Sequence, residues 1–212
     1  MSTHLWLVVG AYLLGSIPFG LLIARASGGV DIRRVGSGNI GATNVLRAAG
    51  KGAAVLTLMF DTLKGWAPVA LTSSLGESGA LVAAVGLAAF LGHLYPIFLG
   101  LRGGKGVATA LGVLLALSVK AALLIAAAWL LTAALIRYSS VAALVACATA
   151  PVLVWLVDGR PSSVALTVVL AAFIVFRHRE NFRRLMTGEE SRIGQRVNLP
   201  GADASRRDDP KL

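Results

Sequence analysis

Charged residues occupy only 14% of the 212 positions, against about 25% in a soluble domain, which excludes an ordinary solvated surface. Cysteine occurs once, at Cys147 inside an apolar run. An intramolecular disulfide is therefore excluded, and a cysteine-ligated metal site is argued against. Carboxylates are scarce, ten against twenty Lys and Arg, for a formal charge of +10. No cluster of His and carboxylates offers a metal site, and neither an internal repeat nor a second domain is evident.

What is abundant is hydrophobic sequence in long runs. Leu5 to Ala24 and Gly79 to Leu101 contain no Lys, Arg, Asp or Glu, and a helix needs about 20 apolar residues to cross a hydrocarbon core of about 30 Å. The first run has no basic stretch before it and no clean cleavage site, so it reads as a retained anchor rather than a signal peptide. Seven apolar stretches emerge, at 5–24, 52–75, 79–101, 106–119, 121–136, 141–157 and 162–176. As one straight helix, the fourth and fifth would run about 46 Å, too long for one span. A tight hairpin near Ser118 to Lys120 is expected instead.

Charge bias sets the orientation. With the N-terminus outside and seven spans, 17 of the 20 Lys and Arg fall inside, as the positive-inside rule requires. The expectation is an all-α, polytopic membrane protein with about seven transmembrane helices and a cytoplasmic C-terminus. The membrane domain covers 1–196, and 197–212 is a polar, disordered tail. Because basic residues flank the apolar runs, the expected partners are membrane lipid and anionic substrates rather than nucleic acid. No obligatory protein partner is evident.

Three unusual segments fall on the same, inner side. The first is Gly36-Ser-Gly-Asn-Ile-Gly-Ala-Thr-Asn44 followed by Arg47. Gly36 and Gly38 let backbone N–H groups approach a ligand closely. Ser37, Asn39, Thr43 and Asn44 add hydroxyls and amides, and Arg47 adds a planar donor fork suited to phosphate. A helix starting here turns its N-terminus toward an anion. A flexible linker is the bland alternative.

The second segment, Gly100-Leu-Arg-Gly-Gly-Lys-Gly106 leading to Thr109, looks like a phosphate loop but is no Walker A motif. Leu99 stands where the first glycine belongs, and Gly106 stands where Ser or Thr belongs. A backbone nest of Gly103, Gly104 and Gly106 with Lys105 still suits a phosphate. The alternative is a positive-inside loop. The third segment is Arg177-His-Arg-Glu-Asn181. His178 suits a proton acceptor or hydrogen-bond donor, and Asn181 follows on the same helical face. A basic helix end at the interface is the commoner meaning of such a segment. Within the second stretch, Asp61 and Lys64 are spaced to pair on one face, either as a structural ion pair or as substrate contacts. His93 reads as a helix-packing hydrogen bonder.

Together, GSIPFG at 15–20, GSGNIGATNVLRAAGK at 36–51, DTLKG at 61–65, GHLYPIFLGLRGGKGVAT at 92–109 and RHRENFRRLMTGEE at 177–190 resemble the bacterial acyl-phosphate:glycerol-3-phosphate 1-O-acyltransferase family. The resemblance runs to about Gly194. It implies an enzyme of the bacterial cytoplasmic membrane, its site facing the cytoplasm. Its substrates would be acyl phosphate and glycerol 3-phosphate, and its products lysophosphatidate and phosphate, with no cofactor. It implies substrate-site roles for Ser37, Arg47, Lys105, His178 and Asn181.

The acyl-CoA-dependent acyltransferases use a His-x4-Asp pair, and none occurs here. Direct transfer is expected, the proton going to the donor's own phosphate or to His178. Ser37 as covalent nucleophile is a third route. A carrier for an anionic lipid or solute is the rival class, disfavoured by the lack of repeated halves. A non-catalytic membrane scaffold leaves the glycine-rich donor loops unexplained.

Overall fold

The computed structural model describes residues 2–195, all helices and connecting loops. The tail expected over 197–212 lies outside the described residues. In order, the helices are α1 Ser2–Ser16, α2 Phe19–Gly28, α3 Ala42–Ser74, α4 Gly79–Leu94, α5 Val107–Leu117, α6 Val119–Ile136, α7 Ser139–Val157, α8 Pro161–Arg177 and α9 Arg179–Met186. Short 3-10 turns occupy Ile32–Arg34 and Ile97–Leu99.

Helix breaks follow local chemistry. Pro18, which has no N–H to continue a helical ladder, separates α1 from α2, and the two together form the first apolar span, His4–Gly28. Gly50 (φ 85°) kinks α3, a backbone conformation that glycine adopts without steric cost. Ser118 leaves helical geometry between α5 and α6, and its hydroxyl accepts from the Ala121 amide at 3.4 Å. The expected hairpin is therefore present, with its corner at Ser118.

Contacts between loops sort the helix ends into two groups. At one end His4 meets Glu77, and Arg160 donates to the Leu117 carbonyl. At the other, Thr43 meets Ser139, Lys105 meets Asn181, and Arg47 donates to the Ser191 carbonyl. The combined α1–α2 element and then α3 through α8 run between these two ends. Five passages are long and apolar enough to cross a membrane alone, and α8 joins them when taken with α9 across a 48° bend. The fourth stretch differs from expectation: α5 has 11 residues, only about 16 Å.

Packing is that of a membrane bundle. Small residues such as Ala121, Ala122, Ala142, Ala143, Ala146 and Ala150 are buried, while Leu130, Leu131 and Leu135 are 61–75% exposed. Hydrocarbon gives no reward for hiding leucine, so close backbone approach drives association instead. A Cβ at Gly15 would lie 2.0 Å from the Ala89 carbonyl oxygen, and one at Gly92 would lie 2.3 Å from that of Tyr12, which locks α1 against α4. Gly65 and Gly112 join α3 to α5 in the same reciprocal way, against the carbonyls of Thr109 and Thr62.

Gly112→Val should therefore destabilise the bundle by about 1–3 kcal/mol or more, read as a lower unfolding temperature in detergent. Gly10→Ala, with open space around it, should not. Equal stability of the two variants would contradict the close α3–α5 crossing.

Candidate active site

The three glycine-rich and basic segments converge where α3, α5, α7 and the α8–α9 corner meet. Asn44, in the first turn of α3, organises the loop before it. Its Oδ1 accepts from the Ser37 amide at 3.1 Å, and its Nδ2 donates to the carbonyls of Ile32, Val35 and Asn39 at 2.9–3.0 Å. Asn39 Oδ1 accepts from the Gly41 amide, so the loop closes on itself and presents Ser37 beside the helix start. Arg47 follows one turn later. One of its terminal nitrogens donates to the Ser191 carbonyl at 3.1 Å, while its buried Nε has no partner among the described residues.

The second loop is fixed from behind. Gly103 and Gly104 donate to the carbonyls of Leu94 and His93, and their own carbonyls accept from Arg177 at 2.8 and 3.1 Å. A Cβ at Gly104 would sit 2.1 Å from His93 Nε2, so only glycine lets the loop lie on that ring. Lys105 emerges from this loop and donates to Asn181 Oδ1.

Asn181 in turn donates to Glu190 at 2.7 Å. Glu190 also accepts from Ser140 at 2.8 Å and Arg184 at 2.9 Å. Three further cations, Arg184, Arg47 and Arg177, lie close enough to Lys105 to disfavour its charged form, with Glu190 as a nearby carboxylate that favours it.

Burial, reinforced by the neighbouring arginines and partly offset by Glu190, pulls the Lys105 ammonium down to about 8. Burial and then the Lys105 charge pull His178 down to about 4, so its imidazole is neutral at pH 7. Arg177, beside it in sequence, adds least to this lowering. His178 Nδ1 lies 2.7 Å from the Ile174 carbonyl. A carbonyl only accepts, so Nδ1 carries the proton and Nε2 keeps a lone pair. Of the two roles the sequence left open for His178, acceptor and hydrogen-bond donor, this tautomer gives the free nitrogen the acceptor's.

These groups line one cavity of about 590 Å3. Its polar part includes Gly36, Ser37, Asn39, Thr43, Asn44, Arg47, Lys105, Gly106, His178 and Asn181. Its apolar part includes Leu111, Leu114, Ile125, Trp129, Leu130 and Ala150.

The remaining residues singled out from sequence lie elsewhere. Gly38 and Gly103 line a separate cleft. Gly104, within the Lys105 loop, packs against His93, and the Thr109 hydroxyl is buried where α5 meets Gly65. Lys64 is buried against Asp61 at 2.8 Å and donates to the Ile17 carbonyl; of that pair only Asp61 reaches the cavity. Glu190, Ser140 and Arg184 also line it and were not singled out from sequence.

A helical bundle with lipid-type packing and a cation-rich chamber opening into an apolar one defines an integral membrane protein with a cavity chemically suited to an anion. The family described as Glycerol-3-phosphate acyltransferase matches residues 5–188. The glycerol-3-phosphate acyltransferase of Geobacter sulfurreducens is 52% identical over 91% of this chain and 99% of its own. That of Thioalkalivibrio sulfidiphilus is 53% identical over 90% and 94%. Crystal structures of PlsY (YgiH), an integral membrane glycerol 3-phosphate acyltransferase, superpose with TM-scores of 0.86 in the glycerol 3-phosphate form and 0.83 in the lysophosphatidic acid form. Both are 46% identical and cover 91% of this chain and 96% of theirs. The chain belongs to the glycerol-3-phosphate acyltransferase family and is an integral membrane enzyme.

The Lys105 ammonium is present below about pH 8 and lost as pH rises through that value. The specificity constant kcat/KM for glycerol 3-phosphate should therefore fall above about pH 8. Lys105→Arg, charged throughout, should remove that limb, and His178→Gln should retain it. A limb that survives in Lys105→Arg would assign it to another group.

Proposed function

We propose that the chain moves a fatty acyl group from acyl phosphate to the 1-hydroxyl of sn-glycerol 3-phosphate, the first acylation step of phospholipid synthesis. The products are lysophosphatidate and inorganic phosphate. The observation that carries this reading is the single cavity in which the phosphate-ready donors open directly into an apolar chamber. A phosphorylated acceptor and a phosphorylated acyl donor both need the first part, and only the acyl chain needs the second.

Arg47 and Lys105 neutralise the two phosphates, and Ser37, Asn39, Thr43, Asn181 and the Gly36 backbone add hydrogen bonds. His178 Nε2 accepts a hydrogen bond from the neighbouring 2-hydroxyl of the glycerol and so orients the 1-hydroxyl, whose own proton faces the acyl phosphate. The 1-hydroxyl oxygen attacks the acyl carbonyl carbon, the bond from that carbon to the phosphate oxygen breaks, and the hydroxyl proton ends on the released phosphate. Positioning and electrostatics provide the rate. Direct transfer is supported over a Ser37-linked intermediate by the contacts of Ser37, which bonds through its backbone amide and has no base on its hydroxyl among the described residues.

We place the site on the cytoplasmic side of the bacterial inner membrane, with seven crossings, the N-terminus outside and the C-terminus inside. The charge distribution supports this. The site end carries Arg33, Arg34, Arg47, Arg102, Lys105, Arg137 and Arg177, whereas Glu77, Lys120, Asp158 and Arg160 lie at the other.

Purified protein should release phosphate from acyl phosphate only when glycerol 3-phosphate is present. Phosphate release without acceptor, or transport without release, would overturn the reaction. For orientation, a membrane-impermeant thiol reagent applied from the cytoplasmic side should label cysteines at Ser37, Arg102 and Thr187, but not at Glu77 or Asp158. Arg102 is the better reporter of its loop because Gly104 has no room for a side chain. Labelling of Arg102→Cys only from outside would reverse the topology.

A further inference from the structure

A second cleft, of about 620 Å3, lies on the other side of the two phosphate-facing loops and is lined by Arg33, Arg34, Arg102 and Arg177 together with Leu99 and Leu101. Two of its arginines are already engaged. Arg33 pairs with Asp31 at 2.6 Å, and Arg177 holds the carbonyls of Gly103 and Gly104. Arg34 and Arg102 are exposed and have no carboxylate partner among the described residues. Two guanidiniums left without counter-charge in one concavity are a site for an anion.

The surroundings say which kind of anion. Ile97, Phe98 and Leu101, on the same loop as Arg102, are 55–60% exposed. Leu101 is held at φ 64°, a left-handed backbone unfavourable for a branched residue. A soluble phosphate would gain nothing from this apolar rim. A phospholipid would, because its headgroup phosphate reaches the arginines while its glycerol and acyl chains lie against the hydrophobic side chains.

The cleft also shares its walls with the catalytic cavity. Gly38 and Ile40 face the cleft while Asn39 and Gly41 face the cavity, and Gly103 faces the cleft while Lys105 and Gly106 face the cavity. We propose that this cleft binds the headgroup of an anionic membrane phospholipid, and that its occupancy steadies the loops carrying Asn39 and Lys105. The site is separate from the substrate cavity.

The full chain, purified in a neutral detergent, is loaded with phosphatidylglycerol and examined by native mass spectrometry. Wild type should retain phosphatidylglycerol in preference to phosphatidylcholine. The double variant Arg34→Gln/Arg102→Gln should bind it about 30-fold more weakly, since each arginine near an anionic lipid contributes about fivefold. In vesicles, wild type should turn over faster in phosphatidylcholine doped with phosphatidylglycerol than in phosphatidylcholine alone. The double variant should match wild type in phosphatidylcholine and lose the stimulation.

Equal retention of phosphatidylglycerol by the double variant would overturn the site. Full displacement of the lipid by inorganic phosphate in the same spectra would make it a free-phosphate site and overturn the lipid assignment. Retention without stimulation would overturn the link to the loops. The spectra count bound lipid rather than turnover, so they succeed or fail independently of the substrate assignment.

Discussion

Repulsion among cations organises the site end of this bundle. Arg47, Lys105, Arg177 and Arg184 converge with Glu190 as their nearby carboxylate, and two unit charges 4 Å apart repel by about 4 kcal/mol even at an effective dielectric of 20. The protein holds this arrangement without neutralising it. Arg177 rests on the carbonyls of Gly103 and Gly104, and Arg47 on that of Ser191. Glu190 spends its two oxygens on Asn181, Ser140 and Arg184. The hydrogen bonds are largely provided for and the charge is not, so the cavity is left with a deficit that an anionic substrate fills.

Such a cluster keeps its shape only on a stiff support, and the support is built from glycine and alanine. The reciprocal contacts of Gly15 with Gly92's helix and of Gly65 with Gly112's helix bring backbones together at distances no side chain permits. The buried Asp61–Lys64 pair extends this frame. Lys64 reaches the Ile17 carbonyl beside the Pro18 break, and Asp61 lies 3.7 Å from His93. The Nε2 edge of the His93 ring abuts Gly104. Packing therefore runs continuously from the middle of the bundle to the loop that presents Lys105.

Much of this was legible in the sequence, for reasons that differ by element. Apolar runs bounded by charge gave the helices, and the excess length of 106–136 gave the corner at Ser118. A helix start in the 36–47 segment was expected and falls at Ala42, but its continuity with the span at 52–75 was less visible, because Arg47 and Lys51 interrupt the hydrophobic pattern. The donors on the glycine-rich loops declared themselves by density, and Ser37, Asn39, Thr43, Asn44, Arg47, Lys105, His178 and Asn181 do meet at one cavity. Glu190 and Ser140 gave no local signal. A glutamate after Thr-Gly-Glu reads as a solvated turn, and its value as counter-charge exists only once Arg184, Asn181 and Ser140 are folded around it. Lys64 was read as either half of an ion pair with Asp61 or a substrate contact, and its partners in the fold are Asp61 and the Ile17 carbonyl.

The charge deficit also bears on where the proton goes in the proposed transfer. Taking it onto His178 would place a fifth cation beside Lys105, in surroundings that already hold the imidazole near a value of about 4. Taking it onto the departing phosphate adds no cation, because the proton meets negative charge at the atom where that charge develops as the carbon–oxygen bond breaks. The Ile174 carbonyl fixes the Nδ1–H tautomer, so Nε2 can accept from the neighbouring hydroxyl of the glycerol and leave the attacking hydroxyl's proton to the phosphate. The same cationic surplus that recruits the phosphates thus makes the imidazole a guide for the hydroxyl rather than its base.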